Sequence, residues 1–168
     1  MMSGVAELAE AFRNGSSSPS EAVEHCLTKI GEVDSSIHAW QSVFAEEALA
    51  AAKIADQAFE SGEAQGPFFG IPFALKDIVE VEGKVATAGC AERKNIVSER
   101  SADVTKLLLQ AGGILVGKTK TVEFAFGGWG TNQHMGTPLN PWDLQNPRTP
   151  GGSSSGSGAA VSSGMIPC

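Results

Sequence analysis

The sequence offers no disulfide framework. Its cysteines, Cys26, Cys90 and Cys168, are odd in number and far apart. They have no zinc-site spacing and suit reduced thiols in a cytoplasm. His25, His38 and His134 are equally scattered and form no metal motif. No run of about 18 apolar residues is present, so nothing in the sequence reads as a membrane span. The start lacks a basic stretch followed by an apolar one, so no secretory signal is visible. Charge is also modest. Charged residues make up 18% of the chain, with a net charge of -7, which argues against non-specific binding to nucleic acid or an anionic membrane. What remains, with 42% hydrophobic residues over 168 positions, is a globular chain long enough to bury a core.

The region up to residue 62 reads as mainly helical. Val5, Leu8, Ala9 and Phe12 form one helical stripe, stopped by Asn14-Gly15. Ser18-Pro19-Ser20-Glu21 is a capping box with proline at the first helical position. The helix it opens carries Ala22, Val23, Cys26, Leu27 and Ile30 on one face. Residues 37–44 alternate as a strand does, and an alanine-rich helix from Ala45 to about Glu60 closes at Ser61-Gly62. No reactive cluster occurs here, and the expected role is packing.

From Gly66 onward the pattern becomes α/β. Phe73–Val79 reads as a buried strand that contains Lys76. A buried ammonium is costly, and burial lowers a lysine's pKa toward that of a general base. The plainer alternatives are an edge-strand lysine or a pair with Asp77. Neighbouring strand residues point to opposite faces, however, which makes Asp77 a poor partner. Residues 80–100 are polar, with turns at Gly83 and Gly89-Cys90. A helix over 101–112 ending on a glycine and a strand over 114–119 complete an α/β alternation. Thr121–Phe126 suits a short helix. Gly127–Gly136 is a glycine-rich loop suited to a pocket wall, with His134 lining it, and Trp142 in the turn at Asn140 reads as a packing residue.

Two pattern matches are set aside. Gly112–Thr119 fits G-x-x-x-x-G-K-[ST], but a helix precedes it and Ile-Leu-Val occupies the supposed phosphate loop. Gly152–Gly156 fits the G-x-S-x-G elbow, but Asn146-Pro-Arg-Thr-Pro leads into it where a strand is required. Thr149–Gly164 is rich in glycine and serine and then turns apolar at Ala159, Ala160 and Val161. It is either a flexible linker or a loop feeding a buried helix.

Taken in order, Gly70-Ile-Pro-Phe-Ala-Leu-Lys76-Asp, Gly113-Ile-Leu-Val-Gly-Lys-Thr, Glu123-Phe-Ala, Asn140-Pro-Trp-Asp and Pro150-Gly-Gly-Ser153-Ser-Ser-Gly-Ser resemble the amidase signature family over nearly the whole chain. The resemblance implies an α/β fold with a mixed sheet covered by helices. It implies one incomplete domain over 1–168, made of a mainly helical part (1–62) and the start of the catalytic core (66–168). It further implies hydrolysis of a carboxamide by a Ser–cis-Ser–Lys triad in a cytoplasmic enzyme without metal or cofactor. Lys76 matches the triad lysine, and Ser153, expected to follow a cis bond after Gly152, matches the relay serine. The family's nucleophile lies in a later G/S-x-D-x-G-G-S segment that this sequence does not contain. Met165–Cys168, an apolar run that completes no element, likewise suggests a shortened C-terminus. Ser155 and Gly158 depart from the family's usual glycine and alanine without touching the relay. Ser154, Gly127 and Gly128 are expected to support the site or line it.

The expected partner is a small-molecule amide, with no membrane and no nucleic acid, and a homodimer is allowed. Two alternatives stand beside this reading. One is an amidotransferase A-subunit that frees ammonia from glutamine for a tRNA-linked acid. The other is an inactive fragment or scaffold.

Overall fold

The computed structural model describes residues 4–168. In chain order, helices α1 (Val5–Asn14) and α2 (Pro19–Ile37) precede strand β1 (Trp40–Val43), and helix α3 (Ala45–Ser61) follows it. Strand β2 (Pro72–Lys76), helix α4 (Asp103–Gln110) and strand β3 (Ile114–Thr119) then form a βαβ unit, and α5 (Ser155–Ser162) closes the chain. The sheet order is β1-β3-β2, with β3 antiparallel to β1 and parallel to β2. This is the mixed sheet that the resemblance implied. Among the described residues no helix is long and apolar enough to cross a membrane.

Local chemistry sets the helix ends. The Ser18 hydroxyl accepts the Glu21 N–H at 3.2 Å, and Glu21 Oε2 accepts the Ser18 N–H at 3.1 Å, a reciprocal cap worth about 1 kcal/mol. Helix α2 runs through Ile37, beyond where alternation suggested a strand. It stops because His38 takes a left-handed conformation (φ 59°) and Asp34 Oδ1 accepts the N–H groups of Ala39 and Trp40 at 2.7 and 3.3 Å. That carboxylate turns the chain straight into β1.

The central strand β3 is buried on both faces, as its place between two neighbours requires. Val23, Cys26, Ile30, Ala48, Ala52, Val116, Ala159 and Ala160 form the main core. The glycines of the discarded phosphate-loop pattern are packing glycines. A Cβ at Gly112 would lie 2.3 Å from the Phe69 ring, at Gly113 2.4 Å from Phe68, and at Gly117 2.3 Å from the Ser42 carbonyl oxygen. Gly117 pairs with Val43, and the absent side chain is what lets β1 and β3 close there. The helix expected over 101–112 is the shorter α4, ending at Gln110 before Gly112 takes φ 82°.

Strand β2 also ends earlier than the apolar run suggested. Residues 77–79 form a turn in which Val79 N–H donates to the Lys76 carbonyl at 2.9 Å. The reason is not local. Asp77 is buried, and its Oδ1 lies 2.7 Å from Lys118 Nζ on β3, both side chains being almost wholly buried. Asp77 Oδ2 accepts the Thr87 N–H at 3.1 Å as well as the Thr87 hydroxyl. Desolvation makes an ion pair this deep costly unless further hydrogen bonds support it, and Lys118 gains one by donating to the Val85 carbonyl at 3.0 Å.

Candidate functional site

Lys76, the last residue of β2, extends from the sheet face opposite to Asp77. In the parallel register Leu75 pairs with Lys118 and Lys76 with Thr119, so Lys118 and Asp77 share one face while Lys76 and Thr119 share the other. Lys76 is half-buried rather than fully enclosed. Its Nζ lies 2.7 Å from the hydroxyl of Ser153, which is 77 residues away in sequence. Burial alone pushes the Lys76 amine below its ordinary value of 10.5. Among the described residues no carboxylate pairs with it.

Ser153 stands in the loop between the glycine-rich segment and α5, and the Gly152–Ser153 peptide is cis. Its carbonyl accepts the Thr121 hydroxyl and the Val122 N–H, both at 3.1 Å, so this serine is held from both its side chain and its backbone. Helix α5 is anchored close behind. Gly156 N–H donates to the Lys120 carbonyl at 3.0 Å, and a Cβ on Gly156 would fall 2.3 Å from the Ala39 carbonyl oxygen. Ser157 Oγ meets Thr119 Oγ1 at 2.7 Å. The glycine and serine stretch is therefore a fixed loop followed by a buried helix, and the linker alternative does not describe it.

Of the supporting residues, Gly152 packs most closely. A Cβ on it would lie 2.7 Å from the Gly130 nitrogen and 3.0 Å from the Gly127 carbonyl oxygen. Gly127 also lines a cavity of about 550 Å³, together with Val122, Glu123, Phe126, Trp129 and His134. Gly128 does not line it and has open space where a Cβ would be. Ser154 is exposed and makes no side-chain cap on α5. Thr121–Phe126 contains only a three-residue turn, Glu123–Ala125, with positive φ at Phe124 and Ala125. Trp142 is 86% exposed rather than packed, because Asn140 Oδ1 accepts the Trp142 N–H in a side-chain-closed turn that carries the ring outward.

Two features of the site have no signature in the sequence. One is the Asp77–Lys118 pair. The other is Asn132, a buried amide whose Nδ2 donates to the carbonyls of Gly89 at 2.7 Å and Thr121 at 3.1 Å. Its Oδ1 accepts the N–H groups of His134 and Met135 at 3.1 and 2.8 Å. Asn132 thus ties the glycine-rich loop to the residue that grips the Ser153 carbonyl. Among the described residues no cluster of three or more His, Cys, Asp or Glu side chains could hold a metal ion.

Chemically, an uncharged amine hydrogen-bonded to a hydroxyl is a proton-transfer couple. The Lys76–Ser153 contact, at 2.7 Å, has that geometry.

Comparison with known proteins gives one consistent result. The family model described as Amidase matches residues 21–168. The A-subunit of the glutamyl-tRNA(Gln) amidotransferase of Chromohalobacter salexigens is 42% identical over 161 residues, covering 96% of this chain and 32% of its own length. A solved structure described in connection with a vestigial protein complex and the origins of an s-triazine catabolic enzyme superposes with a TM-score of 0.91 at 32% identity. That match covers 98% of this chain and 36% of the other. The peptide amidase of Stenotrophomonas maltophilia gives a TM-score of 0.88 at 26% identity, over 98% and 34% of the two chains. The chain spans about a third of the length of the curated relatives it matches.

Proposed function

This chain belongs to the amidase family, and on that premise we propose that it supplies the base and the relay of a cytoplasmic amide hydrolase acting through a Ser–cis-Ser–Lys triad. Lys76 is the base and Ser153 the relay. The observation that carries this reading is the 2.7 Å contact between Lys76 Nζ and Ser153 Oγ, made by a lysine that burial pushes toward its neutral form.

The neutral Lys76 amine accepts the Ser153 hydroxyl proton. Ser153 in turn takes the proton of a nucleophilic serine supplied from outside these residues. That serine attacks the carboxamide carbon, the amine leaves with the proton returned through the relay, and water then cleaves the acyl-enzyme. Gly152 and Gly127, with Ser154 beside the relay, shape the approach to the carbonyl. The residues present call on no metal or cofactor for these proton transfers, and the substrate is a small-molecule amide.

A second reading is favoured by the curated relatives, which are amidotransferase A-subunits at 38–43% identity. In it, the same couple frees ammonia from glutamine for use on a tRNA-linked acid, and partner subunits are required. The test is an assay of the protein carrying these residues against a panel of carboxamides and glutamine, with and without candidate partners. Hydrolysis of simple amides by the protein alone supports the first reading. Activity confined to glutamine in the presence of partners supports the second. Activity that survives loss of both Lys76 and Ser153 overturns both.

A further inference from the structure

Lys76 is followed directly by an aspartate, and a carboxylate next to a base would ordinarily hold that base in its protonated form. In this fold the carboxylate is engaged elsewhere. Asp77 lies on the other face of the sheet, with Oδ1 2.7 Å from Lys118 Nζ and Oδ2 accepting the N–H and hydroxyl of Thr87. Its own backbone is fixed as well, since Asp77 N–H donates to the Thr119 carbonyl at 2.9 Å and its carbonyl accepts the Ala88 N–H at 2.8 Å. Lys118 also donates to the Val85 carbonyl. The pair is therefore neutral overall and separated from Lys76 by the backbone of β2 and β3.

We infer that Lys118 is a positioning residue for Lys76. By cancelling the charge of Asp77 on the far side of the sheet, it leaves the base facing Ser153 without a counter-ion. The inference rests on the reading of Lys76 as that base.

Among the described residues Lys76 takes part in no ion pair, and its side-chain hydrogen bond goes to Ser153. Helix α5 carries no ionisable side chain, and from it and its loop the hydroxyls of Ser153 and Ser157 approach. From β3 comes Lys118. On that far face the Asp77 carboxylate is met by Lys118 and Thr87. At the other end of β2 lie the thiols of Cys26 and Cys168, raised by burial to about 12 and about 11. Both are neutral at physiological pH.

The inference is tested by following the ¹³Cε resonance of Lys76 against pH in protein labelled at lysine, assigned with Lys76→Met. In Lys118→Met the buried Asp77 carboxylate is left uncompensated, and the Lys76 midpoint should rise by about one unit or more. In Asp77→Asn/Lys118→Met, where both charges are removed together, it should return to the wild-type midpoint. Lys118→Arg, which keeps the charge, should also titrate as wild type. A folded Lys118→Met with an unmoved midpoint overturns the inference. Equal displacement in the single and double variants also overturns it, since lost packing would act alike in both. If Lys118→Met does not fold, the double variant decides alone, and any displacement of its Lys76 midpoint counts against charge cancellation. None of these readouts requires turnover, so failure here is distinct from failure of the amidase reading, which would appear as activity independent of Lys76.

Discussion

Lys76 Nζ and Ser153 Oγ meet at 2.7 Å across 77 residues of sequence, one at the end of the edge strand β2 and the other in a loop leading to a helix. Each is fixed by backbone bonds that do not involve the other. Asp77 N–H to the Thr119 carbonyl holds the strand end, and the Thr121 hydroxyl and Val122 N–H hold the Ser153 carbonyl. The contact is thus imposed by the scaffold, and its removal should leave the scaffold standing.

Lys76→Ala and Ser153→Ala should therefore each lower kcat for amide hydrolysis by roughly 10³-fold or more, the scale of a lost proton-transfer group. The thermal unfolding of each variant should stay close to that of the parent. Near-normal turnover in either variant would remove that residue from the triad.

Because burial lowers the Lys76 pKa from 10.5, and because the base acts when neutral, kcat/KM should rise with pH through one deprotonation with a midpoint below 10.5. The sign for stability agrees. The folded state resists protonating this amine, so below the folded midpoint the group opposes folding, and stability recovers as pH rises toward the unfolded value. Lys76→Met should accordingly stabilise the protein at neutral pH and lose that advantage above about pH 10. A pH–rate profile and melts at several pH values check both statements.

Gly156 and Gly158 lie two residues apart in α5 and should respond in opposite ways. A Cβ at Gly156 meets backbone atoms at 2.3 and 2.4 Å, whereas at Gly158 nothing lies within 4 Å. Gly156→Ala should cost about 3 kcal/mol through overpacking against backbone that cannot yield. Gly158→Ala should gain about 0.5–1 kcal/mol from the reduced freedom of the unfolded chain. Urea midpoints of the two variants give the comparison.

Asn132→Ala should lose about 2–3 kcal/mol, because it strands several buried N–H and C=O groups at once. Amide exchange should speed up at His134 and Met135, whose N–H groups the Asn132 side chain accepts. Unchanged protection there would mean that the loop is held by other contacts.

How much of this the sequence revealed depends on how local each cause was. The three N-terminal helices were legible because stripe, capping box and closing glycine all lie within a few residues of what they control. The run at Ala159–Val161 disclosed a helix behind the glycine and serine loop for the same reason. Where β2 ends was not legible. Asp77-Ile78-Val79 continues an apolar strand in pattern, and only Lys118, far along the chain, draws Asp77 out of it. The end of α2 was missed by period alone, although Asp34 was there to turn the chain. Trp142 misled through composition, because a large apolar ring reads as core even where a polar turn holds it outward. The relay itself emerged from an ordered set of motifs, each uninformative alone, while Asn132 looked like any other loop amide.

The order in which residues leave a ribosome gives the Asp77–Lys118 pair a consequence in time. Domains begin to organise from the N-terminal side during synthesis. Residue 118 becomes available well before residue 153 does. In a nascent chain the aspartate and its own lysine thus leave the ribosome ahead of Ser153. The amine of Lys76 then meets the serine as a group already without a rival suitor, and no earlier ion pair has to be broken for the two to join.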